Sequence, residues 1–114
     1  MSEEKRRAPR KRADGPLPAY DSIAGEAIGQ VGNLSRTGLM LISRRQPSSE
    51  GIYQLRLELR QPDGSRRPID VGVQEQWHEP AEAPDQYWAG FRIIAIDDAD
   101  GAALDAWLQP VNMA

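Results

Sequence analysis

The sequence contains no cysteine, which removes disulfide frameworks, thiolate zinc sites and cysteine nucleophiles together. It contains one histidine, His78, so imidazole-pair catalysis and histidine-based metal sites have little to build on. No apolar run approaches the roughly 20 residues that span a bilayer. The charged start lacks the apolar stretch that a signal peptide carries. These absences leave a cytoplasmic protein with no membrane insertion as the expectation. At 114 residues there is room for one folded unit, and at 39% hydrophobic residues its core is modest.

The net charge of −3 conceals two parts of opposite sign. Residues 1–14 hold six basic and three acidic side chains and carry +3, whereas residues 15–114 hold eight basic and 14 acidic ones and carry −6. A basic arm on an acidic body points to a partner for the arm. Residues 1–18 have few apolar side chains and are punctuated by Pro9, Gly15, Pro16 and Pro18. They are expected to form a flexible arm, with the folded unit at 19–114.

Within that unit the spacing predicts strands. Leu55, Leu57 and Leu59 alternate with Gln54, Arg56, Glu58 and Arg60 over 52–61, a period of two. Pro62 to Ser65 reads as a reversing turn. A second strand is predicted over 67–77 with Ile69, Val71 and Val73 inward, and a turn over 78–85 around Pro80 and Pro84. A third is predicted over 86–96, with Tyr87, Ala89, Phe91 and Ile93 on one side. Shorter candidates lie at 19–24, 28–34 and 38–43. After Asp97 the period lengthens, and Leu104, Trp107 and Leu108 share one face of a helix expected over about 98–109. Asp98 and Asp100 suit its start and Pro110 its end. The expected fold is mainly β, a small antiparallel barrel of about six strands with one C-terminal helix. Asp97, Asp98, Asp100 and Gly101 do not make a calcium loop: with Gly101 at position six, Ile96 and Trp107 fall where ligating carboxylates belong.

Two clusters carry chemistry. Arg6, Arg7 and Arg10 sit in the arm, and Asn33, Ser35, Arg36 and Gly38 sit in the connection between two short strands. Arginine pairs bidentately with guanine O6 and N7, stacks on a base or binds phosphate. The Asn33 amide and Ser35 hydroxyl can hydrogen-bond a base edge or a phosphate oxygen, and Gly38 permits close backbone approach. Together they suit a guanine-bearing, phosphate-rich small molecule. No acid–base pair, metal set or nucleophile constellation accompanies them, so a binding protein is expected and not an enzyme. His78, beside Trp77 and the proline-rich turn, is expected at the surface.

Arg6-Arg7-x-x-Arg10, followed after 22 residues by Asn33-x-Ser35-x-x-Gly38, resembles the paired signature of PilZ domains, bacterial receptors for cyclic di-GMP. The resemblance runs on through the meander to Ala89-Gly90-Phe91-Arg92-Ile93 and the helix, and covers nearly the whole chain. It implies that Arg6 and Arg10 contact guanine Hoogsteen edges and phosphates while Arg7 assists by stacking or charge. It implies that Asn33, an accepted variant of an aspartate, and Ser35 bind from the barrel surface, and that Gly38 gives the ligand room. Arg36 in the same turn and Trp77, near a barrel rim where it could lie against a bound base, extend the set. An intercalated ligand dimer, a monomeric protein, no further cofactor and signalling to a downstream protein through the ordered arm are also implied. The alternative is a small barrel whose basic arm binds RNA or an acidic protein surface, with no need of Asn33 or Ser35.

Overall fold

Leu55, Leu57 and Leu59 are fully buried while Arg56, Glu58 and Arg60 between them are exposed, so the period-two pattern turns one face of the strand into the core. The computed structural model describes residues 10–109. Its strands are β1 (Lys11–Arg12), β2 (Pro18–Asp21), β3 (Glu26–Leu34), β4 (Gly38–Ser43), β5 (Ile52–Arg60), β6 (Arg66–Pro80) and β7 (Tyr87–Ala95), followed by helix α1 (Asp98–Leu108).

All pairings are antiparallel. The ring runs β3-β2-β5-β6-β7-β4 and closes through β3–β4, giving a six-stranded barrel with no free edge in the ring. Because β4 occupies one edge of β3, β2 and then β1 share the other: β2 pairs with residues 26–30 and β1 with Asn33 and Leu34. Between them the Ala13 amide donates to the Gly32 carbonyl at 3.2 Å, and the Val31 amide to the Leu17 carbonyl at 2.8 Å. Residues 11–17, which the composition assigns to the arm, therefore lie along β3, and Leu17 is buried in the core.

The interior is filled by Leu55, Leu57, Leu59, Ile69, Val71 and Val73 from the β5–β6 hairpin, with Leu34, Leu39, Leu41, Ala89 and Phe91 opposite. α1 covers one opening with Ala103, Leu104 and Trp107. Its N-cap is Asp97, whose carboxylate accepts the Asp100 amide at 2.7 Å. Asp98 and Asp100 do not cap it. Asp100 instead turns to the barrel, where it accepts from Arg67 and from the Asp70 amide, both at 3.0 Å. Pro110 lies outside the described residues, and the helix ends at Leu108.

The turn expected at 78–85 begins later. β6 continues to Pro80, with His78, Glu79 and Pro80 paired to Ala89, Trp88 and Tyr87. A proline is tolerated at a strand end, where its missing donor interrupts no ladder. Two register shifts, at Gly72/Val73 and Glu75/Trp77, let so long a strand bend with the barrel wall.

Burying a leucine fully is worth about 1.5–3 kcal/mol, and its truncation also leaves a void. Leu57→Ala should therefore lower stability by about 2–5 kcal/mol. Glu58→Ala, one residue on and facing solvent, should stay within about 0.5 kcal/mol. Urea unfolding of both variants checks this, and comparable losses would contradict the register of β5.

Candidate functional site

The connection between β3 and β4 is built around a buried hydroxyl. Ser35 is 1% exposed. Its Oγ accepts the amides of Thr37 (3.2 Å) and Gly38 (3.1 Å) and lies 3.2 Å from the Gly38 carbonyl, to which it can donate. Its amide donates to that same carbonyl at 2.8 Å. The Thr37 carbonyl in turn accepts the Ile93 amide at 2.8 Å, which ties the turn to β7. Gly38 is required by this packing: a Cβ there would stand 2.5 Å from the Phe91 carbonyl oxygen. Ser35 and Gly38 thus shape the turn, and their polar groups are engaged inside it.

Arg36 points away from its neighbours in the motif. Its Nε lies 3.0 Å from an Asp105 carboxylate oxygen, and its guanidinium occupies the space above Gly101 of α1. Asn33 is different. It is paired with Arg12 of β1 and Met40 of β4, and its Oδ1 is buried with no hydrogen-bond partner among the described residues. A buried acceptor left unpaired costs about 1–3 kcal/mol, and native structures hold few of them.

Beside this turn, on the outer face of β4, β7 and β6, lies a cleft of about 470 Å³. Met40 and Trp77 line it, with Thr37 and Gly38 at the turn, Gln76 and Gly90 along the strands, and Arg10 and Arg92 supplying charge. Among the described residues no carboxylate lines it. The cleft therefore gathers one guanidinium from the basic arm, Arg10, and one from the acidic body, Arg92, with no counter-charge among the described residues, an arrangement that favours an anion. Arg92 also reaches Gln74 at 3.3 Å.

Trp77 is 46% exposed for a structural reason. The register shift between Glu75 and Trp77 re-aims the strand, so that Glu75 is buried and Gln76 and Trp77 are turned to the outside. Glu75 anchors this bulge. Its carboxylate accepts the Glu50 amide and the His78 Nδ1 proton, each at 2.7 Å, and the other His78 ring nitrogen lies 3.2 Å from the Gln46 amide nitrogen. His78 is accordingly half-buried and engaged, not the plain surface residue its neighbours suggested. Burial alone would push the Glu75 carboxyl up. The Glu50 amide, the His78 hydrogen bond and the His78 charge outweigh it, and the group rests below the usual value of 4.5.

Of the residues singled out in the sequence, Arg10, Gly38 and Trp77 meet at the cleft. Asn33 sits one strand away opposite Met40, Ser35 is inside the turn, and Arg36 is on the helix. Arg6 and Arg7 lie outside the described residues. Sequence reasoning missed Thr37, Met40, Gln76, Gly90 and Arg92. Parity could have found Met40 and Arg92, which stand at outward positions between the inward Leu39, Leu41 and Phe91.

Comparison with known proteins agrees with this architecture. The family model for the PilZ domain matches residues 4–109. Among solved structures, the Bacillus subtilis inhibitor of motility, MotI/DgrA, superimposes with a TM-score of 0.70 at 17% identity. The match covers 88% of this chain and 47% of that one, so the chain spans about half the length of this structural relative. A comparison with curated proteins finds no match.

Glu75→Gln should lower stability at pH 7 by roughly 1.5–3 kcal/mol, the range for hydrogen bonds to a charged group. Because the folded carboxyl titrates below its unfolded value, the ionised form's advantage is complete above about pH 4.5. It is lost as the pH falls through the depressed folded value. Urea unfolding from pH 7 toward pH 3 should therefore bring the two proteins together. A gap that persists unchanged in acid would assign the effect to packing instead.

Proposed function

The chain belongs to the PilZ domain family, and on that premise we propose that it is a bacterial, cytoplasmic receptor for cyclic di-GMP that binds its ligand without chemistry and signals to a partner protein. The observation that carries the reading is the buried Asn33 Oδ1, without a hydrogen-bond partner among the described residues, beside a cleft whose described lining holds Arg10 and Arg92 and no carboxylate. An acceptor without a donor and two guanidiniums without a counter-charge are the complement of a guanine edge and a phosphodiester.

Each residue takes a role in this reading. Arg10 lies at the cleft immediately before β1. Arg6 and Arg10 pair with guanine and phosphate, Arg7 assists, Asn33 accepts from the guanine edge, and Trp77 lies against a base. Ser35 and Gly38 act through the shape of the turn. Arg36 holds α1 and stands outside the contact set. Ordering a segment on a ligand costs roughly 2–5 kcal/mol. Two or three arginine–guanine contacts at about 1–3 kcal/mol each exceed that cost once phosphate pairing is added. The reading covers a single ligand molecule or an intercalated pair. Among the described residues no helix is long and apolar enough to cross a membrane.

Calorimetry with cyclic di-GMP tests the reading. Arg10→Ala and Asn33→Ala should each weaken binding at least about tenfold, or roughly 1.4 kcal/mol. Arg36→Ala should change affinity little, since an exposed ion pair with Asp105 is worth about 0.2–1 kcal/mol to the fold. No heat at tens of micromolar protein would reject the ligand. Binding of RNA instead, with steep salt dependence spread over every basic residue of the arm and indifference to Asn33, would support the basic-arm alternative.

A further inference from the structure

The outer face of the barrel carries one row of direct neighbours across four adjacent strands: Asn33 on β3, Met40 on β4, Gly90 on β7 and Trp77 on β6. The two large side chains of the row do not stand out from the sheet. Trp77 leans across Gly90, where an added Cβ would come within 2.5 Å of indole Cε2 and 3.0 Å of Cδ1. Met40 leans in the same direction across Gly32, the extra residue of the β3 bulge, where an added Cβ would meet its methyl carbon at 2.8 Å. Each large residue overlaps the glycine of the next strand, as shingles do.

A glycine inside a strand weakens it and often marks a place where something approaches the backbone closely. Here what approaches is the protein's own indole and thioether. With a methyl group at position 90 the ring would have to lift, and the surface would cease to be flat. Lying on the backbone, the indole has already given up its rotamer freedom, so a planar ligand finds it pre-organised.

We infer that Gly90 and Gly32 are positioning residues that lay Trp77 and Met40 flat as a stacking shelf for the face of one guanine ring, with Asn33 at the end of the same row to take the base's edge. The inference rests on the cyclic di-GMP reading and adds a division of labour to it. Indole and thioether surfaces offer no hydrogen-bonding code, so the shelf contributes affinity for a purine face. Discrimination of guanine falls to Asn33 and the arginines, whose groups can read an edge.

A double-mutant cycle on the full chain, read by calorimetry with cyclic di-GMP, separates this from simple damage to the strand. Gly90→Ala should weaken binding at least about tenfold in the presence of Trp77. In a Trp77→Ala background the same methyl has nothing to displace, and it should change affinity less than about twofold, a large coupling for neighbouring positions. A Gly90→Ala protein that binds like the wild type would overturn the inference, as would a loss of equal size in both backgrounds. An independent reading needs no variant. The Met40 methyl proton resonance of the wild-type protein should move upfield by ring current when cyclic di-GMP is added, and an unmoved resonance in a saturated complex overturns the shelf. Absence of binding by the wild type itself would overturn the ligand reading and the shelf with it. Loss of coupling in a protein that binds removes the shelf alone.

Discussion

The pairing of β3 with β4 is the constraint from which the rest follows. It turns an open meander into a closed ring and removes the two edges that an open sheet would offer to other chains. Its turn is held by one buried hydroxyl, that of Ser35, which accepts the amides of Thr37 and Gly38. Closure also brings β3 into line with β4, β7 and β6, the last two far from it in the chain. Without it, Asn33 would be joined to Trp77 only the long way round, through β2 and β5. The same pairing leaves the other edge of β3 to residues 11–21, so the root of the basic arm is held beside the site it would serve.

Charge is distributed so that the local field opposes the total. The body carries −6, yet four of its acids are engaged away from the cleft: Asp97 caps α1, Asp100 receives Arg67, Asp105 holds Arg36, and Glu75 is sunk under the bulge. What remains at the cleft is Arg10 and Arg92. Such an arrangement repels long polyanions at a distance and accepts a small anion at contact range, because screening at physiological salt leaves only about 8 Å of reach to each charge. A receptor for a small nucleotide needs that difference, since nucleic acid competes for any surface that is basic overall.

The fold was largely legible because its signals are local and periodic. Leu55, Leu57 and Leu59 announce their strand by alternation alone, and the lengthening of the period after Asp97 announces the helix. What failed were places where a tertiary partner decides. Pro80 reads as a turn, but the pairing of His78–Pro80 with β7 extends the strand through it. Asp98 and Asp100 read as caps, but Asp97 is the residue with extended backbone at the boundary, and Asp100 is drawn off by Arg67. At the candidate site, residue types suggested a class of ligand, while orientation was invisible. Arg36 stands within the motif yet faces the helix, and Gly90, remote in sequence, supplies the floor under Trp77.

This changes what the Asn33-x-Ser35-x-x-Gly38 motif means physically. Two of its three defining residues are accounted for without any ligand: the Ser35 hydroxyl is consumed by the turn, and a Cβ at Gly38 is barred by the β7 backbone. A turn built this way forces the strands on either side into one register, and register decides which residue stands opposite which. Slipping β4 by one position would move Met40 to the core face and replace it outside by Leu39 or Leu41. The motif is then a device for alignment, and recognition belongs to what it aligns. Asn33 alone among its defining residues keeps a buried acceptor that meets no donor among the described residues, which is why the proposed reading gives it the direct contact.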